Sequence, residues 1–180
     1  MKVTKLELAG LLLIETERFP DHRGFLYERY NRELLKTLQV EFVQQNVSVS
    51  KKGVIRGMHW QCKPFEQGKL VTCMSGEIFD VAVDIRISSP TFGQRFSLNL
   101  SGANGNSLWI PSGFAHGFQV LTDEAVVTYS VTSDFQPSSA SAFHPKDLKV
   151  SINWPLDNPI LSEKDSTAKS LAELPETELF

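Results

Sequence analysis

FDVAVDIRI, residues 79–87, decides the fold class. Phe79, Val81, Val83, Ile85 and Ile87 alternate with Asp80, Ala82, Asp84 and Arg86. Successive side chains of a strand point to opposite faces, so the segment sorts into one apolar and one polar face and reads as a half-buried strand. Comparable runs recur at FLYERY (25–30), FVQQNVSVS (42–50), KLVTCM (69–74), RFSLNL (95–100) and EAVVTYSVT (124–132). Turn-forming stretches such as KKG, SSPTFG and SGANGN separate them. Helical signals are confined to NRELLKTL (31–38), with Asn31 as its cap, and to a weaker stretch from Ser166 to Leu174 that Pro175 would stop. Many short strands with a few short helices predict an all-β sandwich or closed barrel.

The 180 residues suffice for one domain with a sizeable core. No repeat or linker interrupts the pattern before about Pro155, and the tail from about residue 156 is expected to pack back on a single domain, 1–180. A net charge of −3 is too mild to steer nucleic acid or an anionic membrane, so any anionic ligand must be held by a few local cations. Cys62 and Cys73 are too few for a disulfide scaffold; each lies in a strand-like run as a small hydrophobe, which favours a reduced, cytoplasmic protein. LAGLLLI (8–14) is too short to span a membrane and runs into ETER without a small-residue cleavage site. It reads as a strand pair bent at Gly10.

VIRGMHWQ (54–61) concentrates chemistry in another strand-like segment. In an ideal strand Ile55, Gly57 and His59 share a face and Arg56 points away. Both charged groups line one pocket only if Gly57 bulges or the site is shared between chains, and a bulge is the expectation. Taken alone, His59 is a base, a metal ligand or a strand histidine with a satisfied partner. A recurrent metal-binding arrangement on strands is a His-x-His pair; here Gln61 follows His59 at that spacing, and the four histidines show no ligand pattern, so no metal is expected.

DHRGFLYERY (21–30), VIRGMHWQ, QGKLVTCMSGEIFDVAVDIRISSPTFGQ (67–94), LWIPSGFAHGFQVL (108–121) and LSEKD (161–165) together resemble the dTDP-4-dehydrorhamnose 3,5-epimerase family. The resemblance runs from about Lys5 to Asp165. It implies a cupin-type jelly-roll β-sandwich acting as a homodimer without metal or other cofactor. The implied substrate is a dTDP-4-keto-6-deoxyhexose, inverted at C3 and C5 on the way to L-rhamnose.

Inverting a carbon beside a ketone needs a base, a group that stabilises the enolate oxygen, and an acid on the opposite face. The resemblance and this chemistry assign the same four residues: His59 as base, Asp165 to orient it, Lys69 facing the enolate oxygen, and Tyr129 as acid. The resemblance adds substrate contacts at Arg23, Glu28, Gln44, Asn46, Arg56, His116 and Lys164; the cations among them suit a diphosphate. Each has a plainer reading too. Lys69 alone is a solvated lysine, Tyr129 a core aromatic, His116 an exposed histidine in a glycine-flanked loop, and Asp165 the N-cap of the tail helix.

The chain departs from the family pattern at the nucleotide end. Ser130 follows Tyr129 where a lysine is usual, Asp134-Phe135 replaces a paired tyrosine, and a glutamate assigned to substrate contact is replaced around Ala140. Phe135 still offers a ring face for a base; Asp134 does not. The alternatives are a C3-only epimerase, an epimerase of a 4-keto sugar on another nucleotide, and a non-catalytic sugar-nucleotide binding cupin.

Overall fold

The computed structural model describes residues 1–180. Its strands are β1 (Lys2–Lys5), β2 (Leu12–Glu15), β3 (Phe19–Asp21), β4 (Gly24–Leu26), β5 (Gln44–Lys51), β6 (Ile55–Gln61), β7 (Lys69–Ser75), β8 (Glu77–Asp84), β9 (Arg95–Ser101), β10 (Ser107–Ile110), β11 (Phe114–Val120), β12 (Glu124–Val131) and β13 (Ala140–Ala142). Helix α1 (Arg32–Leu38) lies between β4 and β5, and the one-turn α2 (Glu163–Ser166) follows β13. A six-stranded sheet, β1-β2-β10-β7-β12-β5, faces a five-stranded sheet, β13-β6-β11-β8-β9, and neighbouring strands are antiparallel. This is the expected cupin-like sandwich. Between the sheets lies a core that includes Val71, Ile78, Ala82, Leu108, Phe118 and Val127, all almost wholly buried.

The alternation in FDVAVDIRI is real, but Asp80, Ala82 and Asp84 of its polar face are buried and only Arg86 meets water in part. Ile78, Asp80 and Ala82 point between the sheets, where Asp80 and Ala82 are fully buried. The apolar set Phe79, Val81, Val83 and Ile85 points outward and is covered by Phe143, Val150, Leu171 and neighbours from the C-terminal segment. Burying such a side chain stabilises by about 1.5–3 kcal/mol, so the segment after β13 closes the sheet as a third layer. The strand ends at Asp84, whose carboxylate caps a turn through Arg86, Ser89 and Thr91.

Other boundaries differ from the sequence reading for identifiable reasons. FLYERY forms only the short β4, paired with β3 in an exposed two-stranded ribbon; Tyr27 sits between the guanidinium groups of Arg18 and Arg29 instead of in a ladder. The stretch 166–174 is not a helix. α2 stops at Ser166, Leu171–Glu173 is a single 3₁₀ turn boxed by Ser170 and Glu173, and Leu171 is drawn into the outer core with its N–H donating to Asp147. Of LAGLLLI only the end is strand: β2 pairs with β1, which lies before the stretch, and Leu8 to Gly10 form the turn between them, with Gly10 at φ +106°. Asn31 caps α1 by accepting from the Leu34 N–H. Both cysteines are free, Cys73 inside β7 and Cys62 one residue beyond β6.

Candidate active site

The Gly57 bulge places the site. On β6, Arg56 pairs with Phe118 and His59 with His116, so Gly57 and Met58 together face the single Gly117 of β11. Gly57 has φ +138°, and a Cβ there would lie 2.5 Å from the Gly117 Cα. A glycine at both positions lets the strands touch through the irregularity. The parity change turns Arg56 and His59 into the same cavity, as the bulge expectation required.

From the opposite sheet, Lys69 faces Val131 and Tyr129 faces Val71 across β7 and β12, so both side chains point inward, diagonally adjacent. The last contributor comes from the tail. Ile160 bridges to Val54 and bonds the Gly53 and Ile55 backbone, Ser162 caps α2, and Asp165 is delivered to His59 with Nε2 and Oδ1 2.6 Å apart. Asp165 is thus not the helix cap; Ser162 is.

Two cavities meet here. One of about 470 Å³ runs past Val54, Arg56, His116, Phe118, Ile160 and Leu161. The other, of about 280 Å³, runs past Asn46, Gln61, Gln67, Phe135, Ala140 and Lys164. His59, Lys69, Tyr129, Ser162 and Asp165 line both.

The electrostatics follow from burial. Lys69 is 8% exposed, and desolvation lowers its ammonium pKa to about 8 against the opposing pull of the Asp80 carboxylate; Nζ donates to the His59 carbonyl at 3.2 Å. It is neither solvated nor neutral, since a pKa of about 8 leaves roughly nine-tenths of it charged at pH 7. Burial raises the Tyr129 phenol, with Arg56 pulling the other way, so the hydroxyl keeps its proton. Burial alone would raise Asp165, but the hydrogen bond and charge of His59, with Ser162 and the Gly57 backbone, hold it below the usual range. Cys73 is pushed up to about 11 by burial, an inert thiol.

The expected substrate contacts divide. Arg56, held by Ser50 at 2.9 Å, and His116 lie in the first cavity; Asn46, Phe135 and Lys164 lie in the second. His116 is a buried residue of β11 and not in a loop; its Nε2 is 2.9 Å from Asp80 Oδ2. Gln44 does not face a cavity with a free amide: it donates to Asn46 Oδ1 and accepts from the Phe135 N–H. Arg23, in the turn of the exposed ribbon, bonds Asp21, and Glu28, between the ribbon and α1, accepts from Asn31; neither lines either cavity. Asp80 escaped the sequence reading. An acid on a strand whose other face is unbroken hydrophobe was its signal, and it was placed toward water.

The family model described as dTDP-4-dehydrorhamnose 3,5-epimerase matches residues 5–173. A dTDP-4-dehydrorhamnose 3,5-epimerase of Shigella flexneri is 46% identical over 176 residues, 96% of this chain and 97% of the relative. A dTDP-4-dehydrorhamnose 3-epimerase of Streptomyces niveus is 34% identical, over 96% of this chain and 85% of its own. The crystal structure of a dTDP-6-deoxy-D-glucose-3,5-epimerase from Legionella pneumophila, in complex with dTDP-4-keto-L-rhamnose, superposes with a TM-score of 0.94 at 43% identity, covering 99% of this chain and 96% of the other.

Proposed function

The chain belongs to the dTDP-4-dehydrorhamnose 3,5-epimerase family, and from that premise we propose that it inverts C3 and C5 of dTDP-4-dehydro-6-deoxy-D-glucose to give dTDP-4-dehydro-L-rhamnose. The observation that carries the reading is that His59, Lys69, Tyr129 and Asp165 line both cavities, so a sugar ring at their junction meets base, acid and cation together. His59 takes the proton beside the 4-keto group while Asp165 stabilises the imidazolium that forms. The C–H electron pair moves into the ring as an enolate, whose oxygen Lys69 stabilises by charge. Tyr129 returns a proton from the other face. Each inversion leaves His59 one proton richer and Tyr129 one poorer, and exchange with solvent resets both.

Lys164 and Arg56 supply charge for the diphosphate, and Phe135, 55% exposed, supplies a ring face for the base. The Gln61 amide is engaged by Phe65, Asp134 and Gln136, which supports a mechanism without metal; activity is expected to survive exhaustive chelation. We also take residues 1–180 as one catalytic domain, housed in the reducing cytoplasm that suits two free thiols. A homodimer is supported by Val43, Val47 and Val49, all more than half exposed on or beside the edge strand β5, and by the Phe25-Leu26 ribbon. A second copy covering these would bring Arg23 and Glu28 to a partner's cavity.

Incubation with the dTDP-4-keto sugar in deuterated water tests the reaction. Deuterium at both C3 and C5, read by NMR, is the expected outcome. Deuterium at C3 alone selects the C3-only chemistry for which the Streptomyces niveus relative is named; none at either carbon leaves a binding protein.

A further inference from the structure

Four consecutive residues, Ser133 to Gln136, are held at the backbone by three glutamine side chains. Gln67 Nε2 donates to the Ser133 carbonyl at 2.6 Å and Gln61 Nε2 to the Asp134 carbonyl at 3.1 Å. The Phe135 N–H donates to Gln44 Oε1 at 3.0 Å, and the Gln136 N–H to Gln61 Oε1 at 2.6 Å. Gln61 is 3% exposed, and its second donor goes to the Phe65 carbonyl at 2.6 Å, so both N–H groups and the carbonyl of this buried amide are engaged. The segment itself lies outside helix and strand, between the end of β12 and the 3₁₀ turn Pro137–Ser139. Without these side chains its backbone would be free to sample other conformations. With them, β5, β6 and the approach to β7 converge on the one loop that carries an exposed aromatic, Phe135, into the second cavity.

We propose that Gln44, Gln61 and Gln67 are positioning residues for the nucleotide: they fix the 133–136 loop so that the Phe135 ring is already placed to receive the flat base of a nucleoside diphosphate. This rests on reading the second cavity as the nucleotide end. Ordering a loop in advance removes an entropic cost from binding, so the clamp acts on affinity and leaves the proton transfers at His59 and Tyr129 untouched. Phe135 is the element through which it acts. Asp134, whose carbonyl is held while its carboxylate is not, is carried along by the same clamp.

The test uses full-length protein, dTDP as the probe, and Gln67→Met and Gln61→Met, which keep chain length and remove the amide. Gln67→Met is expected to weaken dTDP binding about tenfold and to raise KM for the dTDP-4-keto sugar similarly, with kcat within about twofold. In a Phe135→Ala background the same substitution is expected to change dTDP affinity by less than about twofold, since the ring it positions is gone. In Gln61→Met the Gln136 amide is expected to exchange with solvent about tenfold faster or more, while the Thr128 and Ser130 amides of β12 are unchanged. Equal loss of affinity in both backgrounds, a fall in kcat at constant KM, or an unchanged Gln136 exchange rate overturns the clamp. Unchanged dTDP affinity in Phe135→Ala alone overturns the nucleotide-end reading, and with it the role proposed for the clamp, even where the exchange result stands.

Discussion

Replacing Lys69 with methionine is expected to make the protein more stable and nearly inactive. The buried ammonium titrates at about 8 instead of its ordinary 10.5, chiefly through desolvation that Asp80 only partly offsets. At about 1.4 kcal/mol per pH unit, keeping it charged in the fold costs roughly 3 kcal/mol near pH 7. The sign follows from linkage: between about pH 8 and 10.5 the unfolded chain binds the proton that the folded chain has lost, so wild-type stability rises with pH through that window. Methionine keeps the aliphatic body and drops the charge. In urea unfolding, Lys69→Met is expected to exceed wild type by about 2–3 kcal/mol at pH 7, the gap falling below about 1 kcal/mol by pH 10.5, where both side chains are largely neutral. Titrating groups that do not interact with Lys69 are common to both proteins and cancel; Asp80, which loses a cationic neighbour, offsets part of the gain. With no cation to meet the enolate, kcat is expected to fall by roughly 10²-fold or more. A mutant less stable than wild type at pH 7, or a gap that ignores pH, would refute the reasoning.

Asp165→Asn leaves the His59 ring with a partner of the wrong polarity, and kcat is expected to drop by roughly 10²-fold or more with the unfolding midpoint little changed; activity near wild type would remove Asp165 from the mechanism. Gly57→Ala places a methyl 2.5 Å from the Gly117 Cα at φ +138°, so a loss of about 3 kcal/mol in chemical unfolding is expected, and an unchanged midpoint would mean the bulge is not needed. Asp134→Tyr restores an aromatic beside Phe135 and removes a charge that repels diphosphate. KM for the dTDP sugar is expected to fall with kcat nearly constant, while an unaltered KM would show that this position does not read the base.

Most of the sandwich is legible in the sequence because its strands alternate: β5, β7, β9 and β12 fall within a residue or two of the runs that predict them. What alternation does not reveal is what covers each face. FDVAVDIRI has the parity expected, yet Asp80 points between the sheets toward His116 and the hydrophobes point toward the C-terminal layer, because that layer comes from residues 143–180 with no periodicity of their own. The 166–174 stretch has helix-favouring residues but is too short to sustain a helix unaided, and the burial of Leu171 with its bond to Asp147 decides its shape instead. Within the site, the Gly57 bulge was readable from Arg56 and His59 having to share a pocket. The His59–Asp165 pairing, across 106 positions, was readable only through the resemblance. Asp80 had a signal in the unbroken hydrophobes of the other face of its strand, whereas the clamping roles of the three glutamines exist only once β5, β6 and the approach to β7 are assembled.

The central claim is that His59 and Tyr129 act on opposite faces of one ring, and solvent deuterium separates their steps. In deuterated water Tyr129→Phe is expected to go on exchanging the proton beside the ketone without net inversion, because His59 still removes it and returns a deuteron from the same side. His59→Ala, folded and able to bind dTDP, is expected to show neither exchange nor inversion. Exchange that persists in His59→Ala, or that stops as completely in Tyr129→Phe, would contradict the assignment.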